Sequence, residues 1–311
     1  MKPMRANLNA LLKSKVINGW NLFALIAAPI SFVMVLAMVR ADLSSTAGIR
    51  SLIQLAVRCA VPWLYLAFAA SSLQVVFPGV FSRWMLRNRK LIGLGGFAAA
   101  MAWQLLFILW LVGIHTEYYF ESVYVLSDLV EGVVGYGFLI AMVLTSFQFG
   151  RSRLTSRQWT LLHKSGIYWL WFYAWSVYWF SLFYYQSPAV LIDYVYYWGG
   201  LAAWGLRMAA WSKKRWRQAA AQRARPSHMQ SQSNAGGRRR LLFLVSGSVS
   251  VVIGLIGSSF GSAWSPQVYD FLFGFEILRS IDGFTPYFPF VPLYPLLVMM
   301  LGAWLVVRSR G

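Results

Sequence analysis

Histidine and cysteine, the side chains that most often bind metals or act as nucleophiles, are rare in this chain. It has one cysteine, Cys59, and three histidines, His115, His163 and His228. Cys59 lies inside an apolar run and has no second cysteine to pair with, so the sequence excludes an intramolecular disulfide and a thiolate metal cluster. The histidines are too scattered in sequence and in predicted depth for a zinc site. We therefore expect no dedicated metal chemistry, and His163 alone is retained as a candidate metal ligand.

Arg58 and Lys164 are the basic residues predicted to lie nearest to the depth of the lipid. An ionisable residue inside a membrane span is a functional candidate by default. Lys164 stands at the edge of its segment and is interpreted as an anchor whose ammonium group reaches the interface. For Arg58, an ion pair with Asp128 or Glu131 is favoured over a substrate contact. If Arg58 does bind a ligand, an anionic headgroup or a quinone carbonyl suits its guanidinium.

The apolar segment 164–184 carries aromatic side chains along its whole length. Aromatic belts explain rings at the two membrane interfaces, but not in the middle of a span. Because buried Tyr and Trp need hydrogen-bond partners, one interpretation is an internal site for a flat hydrophobic ligand such as a quinone, a carotenoid or a tetrapyrrole. Close packing of large side chains is the other. The residues are Tyr168, Trp169, Trp171, Phe172, Tyr173, Trp175, Tyr178, Trp179, Phe180, Phe183, Tyr184 and Tyr185.

No catalytic constellation appears elsewhere in the sequence. There is no set of serine, histidine and carboxylate, no pair of membrane-buried carboxylates for a proton relay, and no flavin or nicotinamide domain. Whether the chain is an enzyme stays open, with the balance against it, and an electron-transfer role would require a partner.

Small residues recur at helical spacing. Gly93–Gly96 lies inside an apolar segment with no preceding strand, so it is not a nucleotide fingerprint. Gly95 with Ala99 and Gly257 with Gly261 predict close approach of helices in lipid.

The composition places these residues on membrane helices. The chain has 311 residues, of which 59% are hydrophobic and 12% are charged, whereas soluble domains are about 25% charged. The net charge of +19 comes from short basic segments between apolar runs, which indicates lipid headgroups rather than nucleic acid as the partner. At roughly 20 residues per span, we predict eight transmembrane helices: 20–39, 51–77, 91–112, 127–147, 164–184, 190–210, 241–261 and 290–307.

The distribution of charge predicts the topology. Lys and Arg cluster in the segments before the first, third and fifth spans, between Arg207 and Arg240, and at Arg308 and Arg310, and the positive-inside rule puts all of these on the cytoplasmic side. Every Asp and Glu falls on the opposite side. We therefore expect cytoplasmic termini, a retained N-terminal anchor and, since no N-x-S/T sequon is present, a bacterial inner membrane.

Four regions are predicted. Residues 1–45 form an N-terminal cytoplasmic segment and the first span, and 46–211 form the main transmembrane domain. Residues 212–240, which include His228, are polar, basic and low in complexity, as is typical of a disordered linker. Residues 241–311 form a two-helix membrane segment, whose outer stretch 261–289 has the pattern of a short interfacial helix or of a docking surface for a partner.

Part of the chain, from about Thr46 to Trp211, resembles the ferric-reductase-like transmembrane domain family, which includes the haem-binding membrane subunit of the periplasmic methionine-sulfoxide reductase system. The basic run R-N-R-K before Leu91, Gly93 and Leu94 carries the resemblance, together with later residues of matching order. These are Thr145, Ser146, Trp159, Leu162, His163, Gly166, Tyr168 and Trp171. The resemblance implies a six-helix haem-binding bundle followed here by two further helices.

The chain departs from the family where histidines would ligate b-type haem. The third span has Trp103 and Gln104 in the expected neighbourhood, and the fifth span has Ser176. At 1.5 Å per residue, Trp103 and Ser176 both lie about 18 Å above the inner ends of their helices, and neither is a haem ligand. His163 is expected near the inner face, with its imidazole either hydrogen-bonded to the inner loop, which we favour, or bound to iron opposite Met or water.

These observations lead to two competing hypotheses. In the first, the chain is an accessory or ligand-holding subunit of a larger membrane complex, on a ferric-reductase-like scaffold that has lost its haem pair. In the second, it is a transmembrane electron-transfer subunit using haem b, a quinone or another flat hydrophobic ligand. His163, Trp103, Gln104, Ser176, Arg58 and Tyr173 are the candidate cofactor-binding residues. A transporter is less favoured, because no inverted repeats or interrupted helices appear in corresponding halves.

Overall fold

A computed structural model describes residues 10–123, 126–185, 188–223, 235–279 and 290–309. Every regular element in these ranges is helical. The main helices are α1 (Gly19–Arg40), α2 (Thr46–Val76), α3 (Val80–Ile92), α4 (Ala99–Ile114), α5 (Leu126–Leu144), α6 (Ser156–Phe183), α7 (Leu191–Arg223), α8 (Ala235–Ser259), α9 (Gly261–Phe273) and α10 (Leu293–Ser309).

Several of these helices have the length and composition of membrane spans. Four qualify: Gly19–Arg40, Thr46–Val76, Val80–Ile114 and Arg239–Ser259. With 21 to 35 residues each, they extend from about 32 to 53 Å, enough to cross a hydrocarbon core of about 30 Å. Two shorter apolar helices cover Leu129–Leu144 and Leu293–Ser309. All eight predicted spans coincide with helices, and the all-helical membrane character that the sequence predicted is confirmed.

The chain divides into two compact units, and the first comprises Met1–Trp175 with Trp198–Ala203. Its core forms where α1, α2 and α4 meet. The fully buried residues there are Met34, Ile49, Leu52, Ala56, Phe107 and Leu111. The α2 members recur at intervals of three and four residues, so they form one stripe of the helix facing its neighbours.

A π-helical turn, Gly93–Ala98, joins α3 to α4 and lets two other helices approach closely. A Cβ atom on Gly96 would overlap the ring of Trp63, and one on Gly95 would lie 2.9 Å from the carbonyl oxygen of Phe23. Only glycine fits at such contacts. The prediction that these glycines serve helix packing is therefore confirmed.

Side chains of α3 hold the segment that precedes α1. The Trp84 indole donates to the carbonyl of Ile17 at 3.0 Å. Arg87 and Asn88 both donate to Oδ1 of Asn18, at 2.6 and 2.8 Å. The basic segment before the third predicted span thus acts as a structural clamp on the segment that precedes α1.

The second unit comprises Ser176–Tyr197 and Trp204–Gly311, and α8 and α10 form an antiparallel hairpin within it. Gly247 and Gly302 face each other across this hairpin, and a Cβ on either would lie 2.6 to 2.7 Å from the carbonyl oxygen of the other. Gly254 approaches Met299 and the carbonyl of Pro295 in the same way. Pro295 lies in the first turn of α10, where proline is tolerated.

The structure departs from the predicted disordered linker, residues 212–240, at both ends of that range. Helix α7 continues to Arg223 and α8 begins at Ala235. The run Gln218–Gln222 is rich in alanine, which has the highest helix propensity, and this outweighs its polar composition. Residues 224–234, with His228, lie outside the described residues, as does 280–289 of the outer segment. The predicted short helix of that segment is present as α9, Gly261–Phe273.

Candidate functional site

His163 lies near the start of α6 and contacts residues from the end of α5. Its Nε2 atom is hydrogen-bonded to Oγ1 of Thr145 at 3.0 Å. The Trp159 ring, one turn earlier on α6, lies 4.2 Å from the imidazole centroid and donates through its indole nitrogen to the Thr145 carbonyl at 3.1 Å. The favoured interpretation of His163, an imidazole bonded to the inner loop, agrees with this arrangement.

Arg151 completes this group, which we call the His163 cluster (Thr145, Arg151, Trp159 and His163). Its guanidinium carbon lies 5.3 Å from the Trp159 ring centroid, and it donates to the Leu154 carbonyl at 2.8 Å. Burial, with Arg89 and Arg151 nearby, lowers the pKa of His163 to about 4; this residue precedes the predicted span 164–184. The imidazole is therefore neutral at physiological pH.

The His163 cluster brings together residues on which the predicted resemblance to ferric-reductase-like domains rests. Thr145, Trp159 and His163 are all among the matching positions, and they contact one another directly. Among the residues that the structure describes, no three His, Cys, Asp or Glu side chains lie close enough to hold a metal ion. The cluster thus supplies one neutral imidazole whose Nε2 is already hydrogen-bonded.

Trp103 and Gln104, two of the predicted cofactor-binding residues, connect helices through their polar side chains. The Trp103 indole donates to Oγ of Ser31 on α1 at 3.2 Å. On α5, the Tyr136 hydroxyl donates to Oε1 of Gln104 at 2.7 Å. The polar atoms of this part of α4 therefore join it to α1 on one side and to α5 on the other.

Arg58 lies on the exposed face of α2, away from the core residues Leu52 and Ala56. Gln54 and Arg50 are exposed at one and two turns toward the start of the same helix, and Arg50 donates to the Tyr118 hydroxyl at 2.8 Å. One face of α2 is thus polar while the opposite face is packed. The side chain of Asp128, a predicted partner of Arg58, is not among those described.

Tyr173 and Ser176 lie on α6 but differ in burial. Tyr173 is half-buried, and Ser176 is buried with 2% of its surface exposed. Ser176 belongs to the second unit, whereas Tyr173, Trp103 and His163 belong to the first. Within the first unit, His163 joins the His163 cluster, and Trp103 and Gln104 lie in separate hydrogen-bonded contacts.

The middle of α6 forms a continuous group of ring contacts with α2. The Phe68 ring lies parallel to the Trp171 ring at 5.1 Å and edge-on to Tyr168 at 5.2 Å. Trp171 in turn stacks on Trp175 at 5.8 Å with an interplanar angle of 10°. We call these four residues the aromatic stack. Phe68 and Trp175 are fully buried and Trp171 is 3% exposed.

The aromatic stack is closed by Gly200 of α7. The Trp171 indole donates to the Gly200 carbonyl at 3.0 Å. A Cβ on Gly200 would lie 2.7 Å from both Cδ1 of Trp175 and the hydroxyl of Tyr65. Phe68 and Gly200 were not predicted from sequence, because neither type is unusual in a membrane helix. Of the two interpretations of the aromatic segment, these contacts favour close packing.

The second unit has its own aromatic group. Trp179, which is fully buried, lies 6.2 Å from Trp264 by ring centroids. The Trp264 indole donates to the Gly257 carbonyl at 2.8 Å, and the Tyr197 hydroxyl donates to the Ser258 carbonyl at 2.6 Å. These bonds satisfy carbonyls at the end of α8, which would otherwise have no intrahelical partner.

Comparison of the chain with models of protein families, with curated proteins and with solved structures finds no match. The functional argument therefore depends on the contacts of the chain's own residues.

Proposed function

We propose that this chain is an integral membrane protein on a ferric-reductase-like scaffold without the haem pair, and that it serves as an accessory subunit of a membrane complex. The proposal rests on the residues that occupy the positions where the resembled family is expected to have its haem-ligating histidines. Trp103 and Gln104 are engaged in hydrogen bonds between the chain's own helices. These positions hold the bundle together.

The chemistry of these side chains argues in the same direction. A b-type haem needs an axial ligand with an available lone pair, usually an imidazole nitrogen. The Trp103 indole N–H is a donor only, and it is directed to Ser31. The Gln104 amide oxygen accepts from Tyr136. Neither residue replaces a histidine.

His163 has a structural role in this proposal. To bind iron through Nε2, it would have to give up its hydrogen bond to Thr145, and its ring would have to leave the 4.2 Å contact with Trp159. The exchange would lose this hydrogen bond, which contributes about 0.5–1.5 kcal/mol net, while the Thr145 hydroxyl would keep its bond to the Ala141 carbonyl at 2.6 Å.

The aromatic stack supports the same conclusion, because large side chains already occupy the interior of the first unit. Phe68, Trp171 and Trp175 are buried against one another. A flat cofactor would have to displace at least one ring. A ligand is therefore expected at the surface of the bundle rather than within the aromatic stack.

The accessory role is supported by the apolar outer surface. Large hydrophobic side chains remain exposed on the outside of α1, among them Phe32 and Val39 at 69% and 79% exposure. Lipid and other membrane subunits are the partners that such a surface accommodates. Eight spans, cytoplasmic termini and a bacterial inner membrane belong to this proposal. They rest on the apolar runs, on the distribution of Lys and Arg, and on the absence of an N-x-S/T sequon, respectively.

The alternative is an electron-transfer subunit in which His163 binds haem b. One observation favours it: Thr145 and Trp159, two residues that carry the resemblance, both contact the neutral imidazole of His163. A neutral imidazole is the form that binds metals. The second axial ligand would then come from Met, water or a partner.

A reduced-minus-oxidised absorption spectrum separates the two. The full chain is expressed with a haem supply, purified, and compared with His163→Ala and, as a matched control, His115→Ala. We expect no stoichiometric b-type band in any of the three proteins. A band of about one haem per chain that is lost in His163→Ala and kept in His115→Ala would overturn the proposal.

The accessory role needs its own test, by cross-linking in native membranes. A partner subunit should be captured at a photoreactive residue placed at Phe32 or Val39, and not at the buried Met34 of the same helix. Recovery of the chain alone from both exposed positions would contradict the accessory role.

A further inference from the structure

One end of the α8–α10 hairpin, where α8 begins and α10 ends, holds one arginine between two aromatic rings. The guanidinium carbon of Arg308, near the end of α10, lies 5.0 Å from the Trp304 ring centroid and 5.7 Å from that of Phe243 on α8. Arg308 is exposed, and so is Trp304, at 43%. Two helices thus fix the position of a cation that faces outward.

This end of the hairpin is strongly positive. Arg239 and Arg240, both exposed, precede Phe243 by about one helical turn, so they lie at the same end as Arg308. The sequences of α8 and α10 contain no Asp or Glu. A ligand at this end therefore meets the guanidinium groups of Arg239, Arg240 and Arg308, and no carboxylate from either helix.

An exposed apolar stripe leads away from this charge along α10. Trp304, Leu301 and Leu297 follow Arg308 at intervals of four, three and four residues, which places all four on one face. Leu301 and Leu297 are 53% and 52% exposed. The stripe is about 16 Å long at 1.5 Å per residue, close to half of a hydrocarbon core of about 30 Å.

We propose that this face binds one anionic phospholipid, with its phosphate at Arg308 and an acyl chain along Trp304, Leu301 and Leu297. A guanidinium presents several N–H donors in a fork that matches phosphate oxygens. The ring contacts hold it in position before the lipid arrives, so little side-chain freedom is lost on binding. Arg239 and Arg240 add positive charge at the headgroup. The site is independent of the haem question.

Charge and shape together identify the ligand class. A free phosphate would use the arginines and leave the stripe uncovered, whereas a zwitterionic lipid would cover the stripe and bring no net negative charge. An anionic phospholipid uses both. Binding to the full chain in detergent, measured by native mass spectrometry during titration with phosphatidylglycerol or phosphatidylcholine, tests this directly.

We expect the wild-type chain to bind phosphatidylglycerol at least tenfold more tightly than phosphatidylcholine. Arg308→Gln should weaken phosphatidylglycerol binding about tenfold, the effect of losing one charge-assisted hydrogen bond. Trp304→Leu keeps the charge and the apolar surface but removes one ring, and should weaken binding about threefold. Arg157→Gln, at an exposed arginine on α6, is the matched control and should bind as wild type does.

Three results would overturn the proposal: equal affinity for the two lipids, equal loss in Arg157→Gln and Arg308→Gln, or full displacement of phosphatidylglycerol by glycerol phosphate at the same concentration. Arg308→Lys controls for misfolding, because it keeps the charge at the same place. Binding should be partly restored in this variant. Failure of Arg308→Lys to bind better than Arg308→Gln, with both proteins eluting as the wild type does in gel filtration, would also count against the site.

Discussion

The aromatic stack and the α8–α10 hairpin solve the same packing problem in opposite ways. In the aromatic stack, Trp171 and Trp175 fill the space between helices with the largest side chains available. In the hairpin, Gly247 and Gly302 remove the side chains, so that the two backbones touch. Large rings and missing side chains both yield a dense interior. The first arrangement is sensitive to truncation and the second to any added atom.

Truncation of the aromatic stack should have the largest effect. Trp175→Ala removes a fully buried ring and should lower the free energy of unfolding by about 3–5 kcal/mol through the cavity it leaves. Unfolding in mixed detergent, followed by circular dichroism, measures the change. Trp110→Ala is the control, because that ring is 37% exposed and its loss should cost less.

The Trp175→Ala variant also tests how tightly the aromatic stack is filled. An engineered apolar cavity can bind a small aromatic molecule, so indole should raise the melting midpoint of Trp175→Ala and leave that of the wild type unchanged. A stabilisation of equal size in both proteins would mean that the aromatic stack is not the tightly filled region described above.

Adding a side chain inside the α8–α10 hairpin should have the next largest effect on stability. Gly302→Val places a side chain against the carbonyl of Gly247 and the backbone of Val251, and should destabilise the protein by about 1–3 kcal/mol through overpacking. Thermal unfolding in detergent is the measurement. Gly137→Ala on α5 is the matched control, since a Cβ there meets nothing within 4 Å. That change should be neutral or stabilising by up to about 1 kcal/mol.

Loss of a single hydrogen bond should have the smallest effect on stability. Trp103→Phe keeps a ring beside Phe107 but loses the bond to Ser31, and we expect a loss of about 1 kcal/mol. In a double-mutant cycle with Ser31→Ala, the two losses should not add, because both remove the same bond. Additive losses would show that the bond contributes nothing to stability.

The helices were predictable from sequence, whereas the identity of their neighbours was not. Apolar runs of about 20 residues locate a span because lipid imposes that length. The aromatic residues of α6 were equally visible, but whether they surround a ligand depends on Phe68 and Gly200, which come from other helices. Composition also failed between Ser212 and Arg223, where alanine-rich sequence continues the helix despite its charge.

The residues of the candidate site were likewise predictable from sequence, whereas the residues that they contact were not. His163 could be singled out because the chain has so few histidines, and Trp103 and Gln104 because the resemblance to ferric-reductase-like domains implies a haem ligand in their neighbourhood. Their partners Thr145, Ser31 and Tyr136 could not be inferred, because a hydroxyl group on a membrane helix has many alternative acceptors and donors.

The clamp on the N-terminal segment bears on the order of events during synthesis. Asn18, which immediately precedes the first helix, is held by Asn88, 70 positions later in the chain. That bond cannot form until the ribosome has made α3. The N-terminal end of α1 therefore gains this hydrogen bond only after α2 and α3 have been synthesised.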